Sequence, residues 1–246
     1  SGLFSFVGSY TTSSSKKTLG FYYEGYLDEN NLSNPVNFKY PGVNNDYDIT
    51  FVHSTMGEFM VGASGIENDS LSTVSFLYKT SDLDNIHLKI EYPNSYTTTT
   101  YGIWLNSDGT YTIVGGYSPN RSHAMNEIYN MNTGGPLPIG VGFIATYNPS
   151  TNEITDWTSL PPNEKGLLLH IEGISKFADS NLYSINIDSL DPNTNLQISY
   201  YTTMQYIPNL GRYVVDTNFK KLDYPQNNGA QFNVSSSNSV ADNNVV

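Results

Sequence analysis

YGIWLNSDGTYTIVGGYS, residues 101–118, decides the fold. Tyr101, Ile103 and Leu105 alternate with other residues, Ser107-Asp108-Gly109 supplies a turn, and Tyr111 to Val114 resumes extended, β-branched character until Gly115-Gly116. The stretch therefore reads as a β-hairpin, with Ile103 and Val114 as core residues. Trp104 points to the opposite face from Ile103, because side chains alternate along a strand, and is expected between packed sheets.

The same order of parts recurs along the chain. Ser75-Phe76-Leu77-Tyr78 answers Gly20-Phe21-Tyr22-Tyr23, and Ile90-Glu91-Tyr92-Pro93 answers Phe38-Lys39-Tyr40-Pro41. Tyr101-Gly102-Ile103 answers Tyr47-Asp48-Ile49, and Val114-Gly115 answers Val61-Gly62. A looser third copy runs through Gly142-Phe143-Ile144, Leu160-Pro161, Gly173-Ile174 and Tyr183 to Ile187. The fourth runs through Gly211 to Val215, Leu222 to Pro225, Phe232 to Val234 and Val245-Val246. Each proline ends a short strand, since it removes a ladder donor and fixes its own φ.

The intervals support a repeat. From the third to the fourth strand they are 12 (Ile49 to Val61), 11 (Ile103 to Val114), 11 (Ile174 to Ile185) and 11 (Val234 to Val245). Between copies the fourth-strand residue advances 54 from Val7 to Val61, then 53 to Val114, 71 to Ile185 and 60 to Val245, so the copies differ by insertions. The expected fold is all-β: a single β-propeller-like domain over 1–246 of four imperfect repeats, each of about four antiparallel strands. A four-stranded unit cannot bury both faces alone, and radial packing solves that and the edge problem together. The repeats fall at approximately 10–64, 65–118, 141–189 and 198–246, with 3–9 as a closing strand and insertions at 119–140 and 190–210.

Together, the GFYY-like strand, the YPG-like strand end and the terminal VGSY or VGGYS resemble the bacterial extracellular HAF-type repeats. The naming His-Ala-Phe is absent, and Gly20-Phe21 and Gly142-Phe143 stand in its place. The resemblance implies a propeller-like, secreted or surface-associated bacterial protein, and it transfers no catalytic residue.

Composition narrows the function classes. The 246 residues contain no cysteine, which excludes disulfides, thiolate metal sites and a cysteine nucleophile. A formal charge of −12 repels phosphate backbones and anionic membrane surfaces, so no nucleic-acid partner is expected. No apolar run of spanning length occurs, so no membrane insertion is expected. The 20 tyrosines suit half-buried strand positions first, and sugar-binding faces second. The opening Ser1-Gly2 reads as a tag remnant, and the composition suits an extracytoplasmic setting, secreted or at the cell surface.

The first insertion gathers Arg121, His123, Asn126, Glu127 and Tyr129, a cation, an imidazole, an amide, a carboxylate and a ring, around a short helix expected over His123 to Met131. These are the candidate ligand-binding residues, because loops that depart from a repeated scaffold carry binding. The competing reading is a solvated capping loop. The second insertion is expected to carry an extra strand, Ile198 to Tyr206. His53, His87, His123 and His170 are scattered, without metal-site spacing, so no metal site and no cofactor are expected. Calcium is the one ion that Asp188, Asp191, Asn193 and Asn195, or Asp28, Glu29 and Asn30, suggest, and neither group fits the twelve-residue loop. Gly140-Val141-Gly142-Phe143-Ile144-Ala145 spells the dinucleotide fingerprint, but a strand follows it where a helix is needed. Four glycosylation sequons, at Asn31, Asn68, Asn120 and Asn233, are at the level chance gives in so Asn-rich a chain.

Catalytic residues are not identified by this pattern. With the third strand innermost, Tyr47, Tyr101, Glu172 and Phe232 become equivalent positions around the axis, and their mostly aromatic character argues for packing. The expected function is a secreted or cell-surface binding module for a glycan or protein ligand. The alternatives are a glycoside hydrolase with a carboxylate pair near the axis, drawn from Asp46, Asp48, Glu58, Glu91, Asp108, Glu172 and Asp242, and a purely structural repeat.

Overall fold

In the computed structural model the described residues are 4–11, 17–26, 34–41, 49–66, 69–119, 140–161, 168–177, 180–190, 197–222, 240–241 and 244–245. The regular structure among them is β-strand, apart from one 3-10 turn at Pro208–Leu210, so the chain is all-β. The strands are β1 (Phe4–Thr11), β2 (Thr18–Gly25), β3 (Val36–Phe38), β4 (Ile49–Met56), β5 (Phe59–Ile66), β6 (Asp69–Lys79), β7 (Leu88–Ile90), β8 (Thr97–Leu105) and β9 (Tyr111–Ser118). There follow β10 (Val141–Asn148), β11 (Glu153–Ser159), β12 (Leu168–Lys176), β13 (Leu182–Leu190), β14 (Gln197–Ile207), β15 (Arg212–Val215), β16 (Lys220–Lys221), β17 (Val240–Ala241) and β18 (Asn244–Val245).

They group as antiparallel meanders: β4-β5-β6-β7, β8-β9-β10-β11, and β12-β13-β14 followed by β15 and β16 on one edge of β14. An earlier meander, β1-β2-β3, meets β4 through a single parallel pair, Thr18 opposite Ile49. Each hydrogen-bonded sheet thus joins the third and fourth strands of one sequence copy to the first and second strands of the next. A repeat has no privileged starting point, so the period survives this change of phase.

The two middle sheets, β4–β7 and β8–β11, bury both faces. Tyr22, Phe38, Val52, Met60, Phe76 and Tyr78 fill the space between β1–β3 and β4–β7. Phe59, Val61, Leu77, Ile103, Ile113 and Phe143 lie between the next two sheets, and Val114, Ile144, Ile171, Ile185 and Ile187 between the last two. Neighbours in sequence point to opposite interfaces: Met60 and Val61, Phe76 and Leu77, Ile113 and Val114. This is the period-2 rule applied to sheets with two dry faces. Ile103 and Val114 are core residues as expected, and Trp104 packs against the opposite interface from Ile103.

The quoted hairpin closes at Gly109, whose φ of 84° is left-handed, with Asn106 accepting from Gly109 N–H at 3.0 Å and the Asp108 carboxylate accepting from Thr110 N–H at 3.0 Å. Short strands β3 and β7 stop just before Tyr40-Pro41 and Tyr92-Pro93. The two tyrosine amides are satisfied alike, donating to Thr50 Oγ1 at 3.0 Å and Thr98 Oγ1 at 2.9 Å.

Two readings of the sequence are corrected by the pairing. The segment Ile198 to Tyr206 is no addition to the repeat: β14 is the third strand of its sheet, and Ser199 and Tyr200 occupy the places of Ser75 and Phe76 in β6. The third strand of the first copy is also displaced by six residues. Val52 pairs with Gly62 and Ser54 with Val61, just as Thr100 pairs with Gly115 and Gly102 with Val114, so the equivalent of Tyr101 is His53 and not Tyr47. The 12-residue interval from Ile49 misled because hairpin lengths differ. The β4–β5 turn needs only Gly57 and Glu58 between Met56 and Phe59, whereas the β8–β9 turn uses residues 106–110 between Leu105 and Tyr111.

Candidate functional site

The first strand of each full sheet carries one β-bulge at a corresponding place. The extra residue is His53 in β4, between the Val52–Gly62 and Ser54–Val61 pairs. In β8 it is Tyr101, and in β12 it is Glu172, between the Ile171–Ile187 and Gly173–Asn186 pairs. A bulged residue has no partner across the ladder and re-aims its side chain, which is why bulges collect beside functional sites. Because β8 packs against β4 and β12 packs against β8, the three bulges bring their side chains to one locus.

At this locus Tyr101 lies between two imidazoles. Its ring centroid is 4.6 Å from that of His53 and 4.5 Å from that of His170, the latter stacked at 19°. Phe51, two residues before His53 and on the same side of β4, extends the row at 6.2 Å and is exposed. His170 Nε2 is hydrogen-bonded to Glu172 Oε1. His170 and Glu172 share a face of β12 because they are two residues apart, and Asp188 of β13 stands directly opposite His170 in the ladder. Ligand atoms of His170, Glu172 and Asp188 all lie within 4.8 Å of one another. Asp188 is fully buried, and its Oδ1 accepts the Ser199 hydroxyl at 2.5 Å. A buried carboxylate is tolerated only when such partners satisfy it.

His53 reports the character of the space. It retains water-accessible surface, yet desolvation, the largest influence, pushes its pKa down to about 4, while the Glu172 charge pulls it up and His170 pushes it down. The His53 imidazole is therefore neutral at pH 7. The site thus offers flat rings, a neutral imidazole and two carboxylates, one of them buried.

Of the remaining histidines, His87 is bonded through Nε2 to Tyr147 OH at 2.6 Å within the packed interface, a structural role. His123 lies outside the described residues, as do Arg121, Asn126, Glu127, Tyr129 and the helix expected around them. Tyr47, Phe232, Asp191, Asn193, Asn195 and residues 28–30 are also outside. Glu172 was among the carboxylates singled out in the sequence, and Asp188 among the oxygen donors. Their association with His170 and His53 needs the strand register. The one local signal was His170-Ile171-Glu172, which puts two polar groups on one face of a strand.

A groove of about 320 Å³ runs over β6, β7 and the start of β8, lined by Ser75, Glu91, Tyr92, Tyr96 and Thr98, and shares no residue with the cluster. Tyr92 is held there in a 3.7 Å stack with Tyr117, both hydroxyls meeting Ser159 Oγ, so its ring is a joint between sheets. Among the described residues no helix is long and apolar enough to cross a membrane. No protein-family model matches the chain, and no curated protein matches its sequence.

Proposed function

We propose that the chain is a propeller-like array, similar to the HAF-type repeats, that acts as a secreted or cell-surface module binding a glycan through the side chains clustered around Tyr101. The single observation that carries the reading is the convergence of three bulged residues, His53, Tyr101 and Glu172, from three successive sheets. Sugars are bound by flat rings that cover their apolar faces and by carboxylates and imidazoles that meet their hydroxyls. Tyr101 and Phe51 supply the first, and Glu172, His170 and His53 the second. In the array, β1–β3 takes the place of a sheet lacking its inner strand, and β17 packs on β12 and β13 as β12 packs on β8 and β9. A glycan array followed by titration tests the reading. Binding that falls at least tenfold in Tyr101→Ala is expected, and a folded protein that captures no glycan, or a Tyr101→Ala variant that binds as well, overturns it.

Hydrolysis is the second reading, favoured by the nearness of the Glu172 and Asp188 carboxylates, since retaining glycosidases hold theirs about 5–5.5 Å apart. It fits less well. Asp188 is fully buried and engaged by Ser199, so it cannot reach a sugar ring. Turnover of an aryl glycoside that is abolished in Glu172→Gln would reverse the preference.

A further inference from the structure

We propose that His170, Glu172 and Asp188 bind one divalent first-row transition ion, of the zinc or manganese kind, beside Tyr101. The proposal does not rest on the glycan reading, because the ion is held by protein groups alone.

The three side chains come from two paired strands, so the ladder fixes their relation. Asp188 faces His170 across the β12–β13 pair, and Glu172 follows on the same face at the bulge. One imidazole nitrogen and two carboxylate oxygens lie within 4.8 Å of one another, so small side-chain adjustments bring them to the distance of about 2.0–2.2 Å at which an ion holds nitrogen and oxygen donors. The donor set selects the metal. An imidazole suits zinc, copper, iron or nickel and carboxylates also suit manganese, whereas calcium and magnesium take oxygen almost alone. Two carboxylates supply the charge that compensates a divalent ion in a desolvated place.

The surroundings resemble those of a built site. Ser199 of β14 donates its hydroxyl to Asp188 Oδ1, which orients that carboxylate. Tyr101 lies flat against His170 and fixes the plane of its ring. The His170 Nε2 and Glu172 Oε1 atoms already face each other through a hydrogen bond, and an ion seated between them takes the place of that contact once the two side chains part to admit it. Three protein ligands leave further coordination positions open, the arrangement of a site that also receives an exogenous oxygen.

Chelator-stripped protein is titrated calorimetrically with zinc, manganese and calcium chlorides, and metal content after dialysis is read by elemental analysis. One zinc or manganese per chain is expected, with calcium at least tenfold weaker. His170→Ala and Glu172→Gln are expected to weaken binding at least a hundredfold, and Ser199→Ala about tenfold, through the orientation of Asp188. Asp188→Asn is not used alone, because a buried position risks the fold. Far-ultraviolet circular dichroism of the stripped His170→Ala and Glu172→Gln proteins shows whether they fold. Cobalt(II) provides a second readout: a visible d–d band present in the native chain and absent in His170→Ala. Failure of the stripped native chain to take up one ion, or undiminished uptake by both folded variants, overturns the proposal. Metal uptake without glycan capture would leave this inference standing and remove the proposed function, and the reverse result would do the opposite.

Discussion

Gly115→Ala tests the geometry on which the site depends. Gly115 pairs with Thr100, the residue before the Tyr101 bulge, and a methyl group there would stand 2.0 Å from the Thr99 carbonyl oxygen and 2.8 Å from Phe143 Cε1. Gly62 is in the same position one sheet earlier, where the methyl would meet the Phe51 carbonyl oxygen at 2.1 Å and Phe76 Cζ at 2.7 Å. An ordinary contact needs more than 3 Å, so β8 must move away from β9 by roughly 1 Å, a shift that close-packed sheets resist. Overpacking of this kind costs about 1–3 kcal/mol. Loss of the local ladder bond adds about 1 kcal/mol, for a total near 2–4 kcal/mol. Urea unfolding followed by the fluorescence of Trp104, one strand away from the perturbation, reads this as a lower midpoint at unchanged slope. The opened ladder also re-aims Tyr101, so ligand capture falls more than the fraction of unfolded protein explains. A stability change below about 0.5 kcal/mol, with capture intact, refutes the bulge argument. Ile187 supplies the comparison, because it occupies the equivalent place opposite Ile171 in the last sheet. There a second ladder irregularity lies between Leu168 and His170.

Ser75→Ala is expected to cost about 1–3 kcal/mol, since the Thr100 N–H that now donates to Ser75 Oγ at 2.9 Å would be buried without an acceptor; chemical denaturation measures it, and Ser75→Thr should recover part of the loss. Stability is expected to fall on the alkaline side. Burial pushes Tyr147 and Tyr22 up to about 12, so these phenols keep their protons in the folded chain when the unfolded chain has begun to lose them. Their contribution is complete below the ordinary value of 10.0 and lost as pH rises from there to about 12, on the order of 1–2 kcal/mol for each ring. Spectrophotometric tyrosine titration with parallel thermal melts would show an early, freely titrating set and a late set that ionises with unfolding; a single early transition would contradict this.

Strand identity was legible because it is written locally. Alternation in YGIWL and the turn at Ser107-Asp108-Gly109 need only neighbours, and β3 and β7 stop just before Tyr40-Pro41 and Tyr92-Pro93. Register was less legible, because hairpin length is free to vary while the strands keep their order. An interval of 12 between Ile49 and Val61 looked like the 11 between Ile103 and Val114, although the bulge-to-partner geometry is what the copies share. The cluster was the least legible part. His53, His170 and Asp188 are separated by up to 135 residues in sequence, and only the packing of β4, β8 and β12 joins them. Tyr101 was seen, but set among neighbours that made it look like packing.

That last error shows how a repeat builds a site. If equivalent positions carry the same residue type, as Phe76 and Phe143 do in the interiors of successive sheets, the scaffold is using them to pack. At the bulge the copies disagree: His53, Tyr101 and Glu172 differ in charge, shape and hydrogen-bonding, while the backbone that presents them is preserved. Packing does not require such differences, and three unlike groups aimed at one place cost desolvation that an apolar trio would avoid, as the depressed pKa of His53 shows. The scaffold therefore repeats the aim of the side chain and varies its chemistry. Mixed identity at a conserved geometry is the reason to look for function at this end of the sheets, in preference to the Tyr92 groove, where two tyrosines are stacked and bonded to one serine.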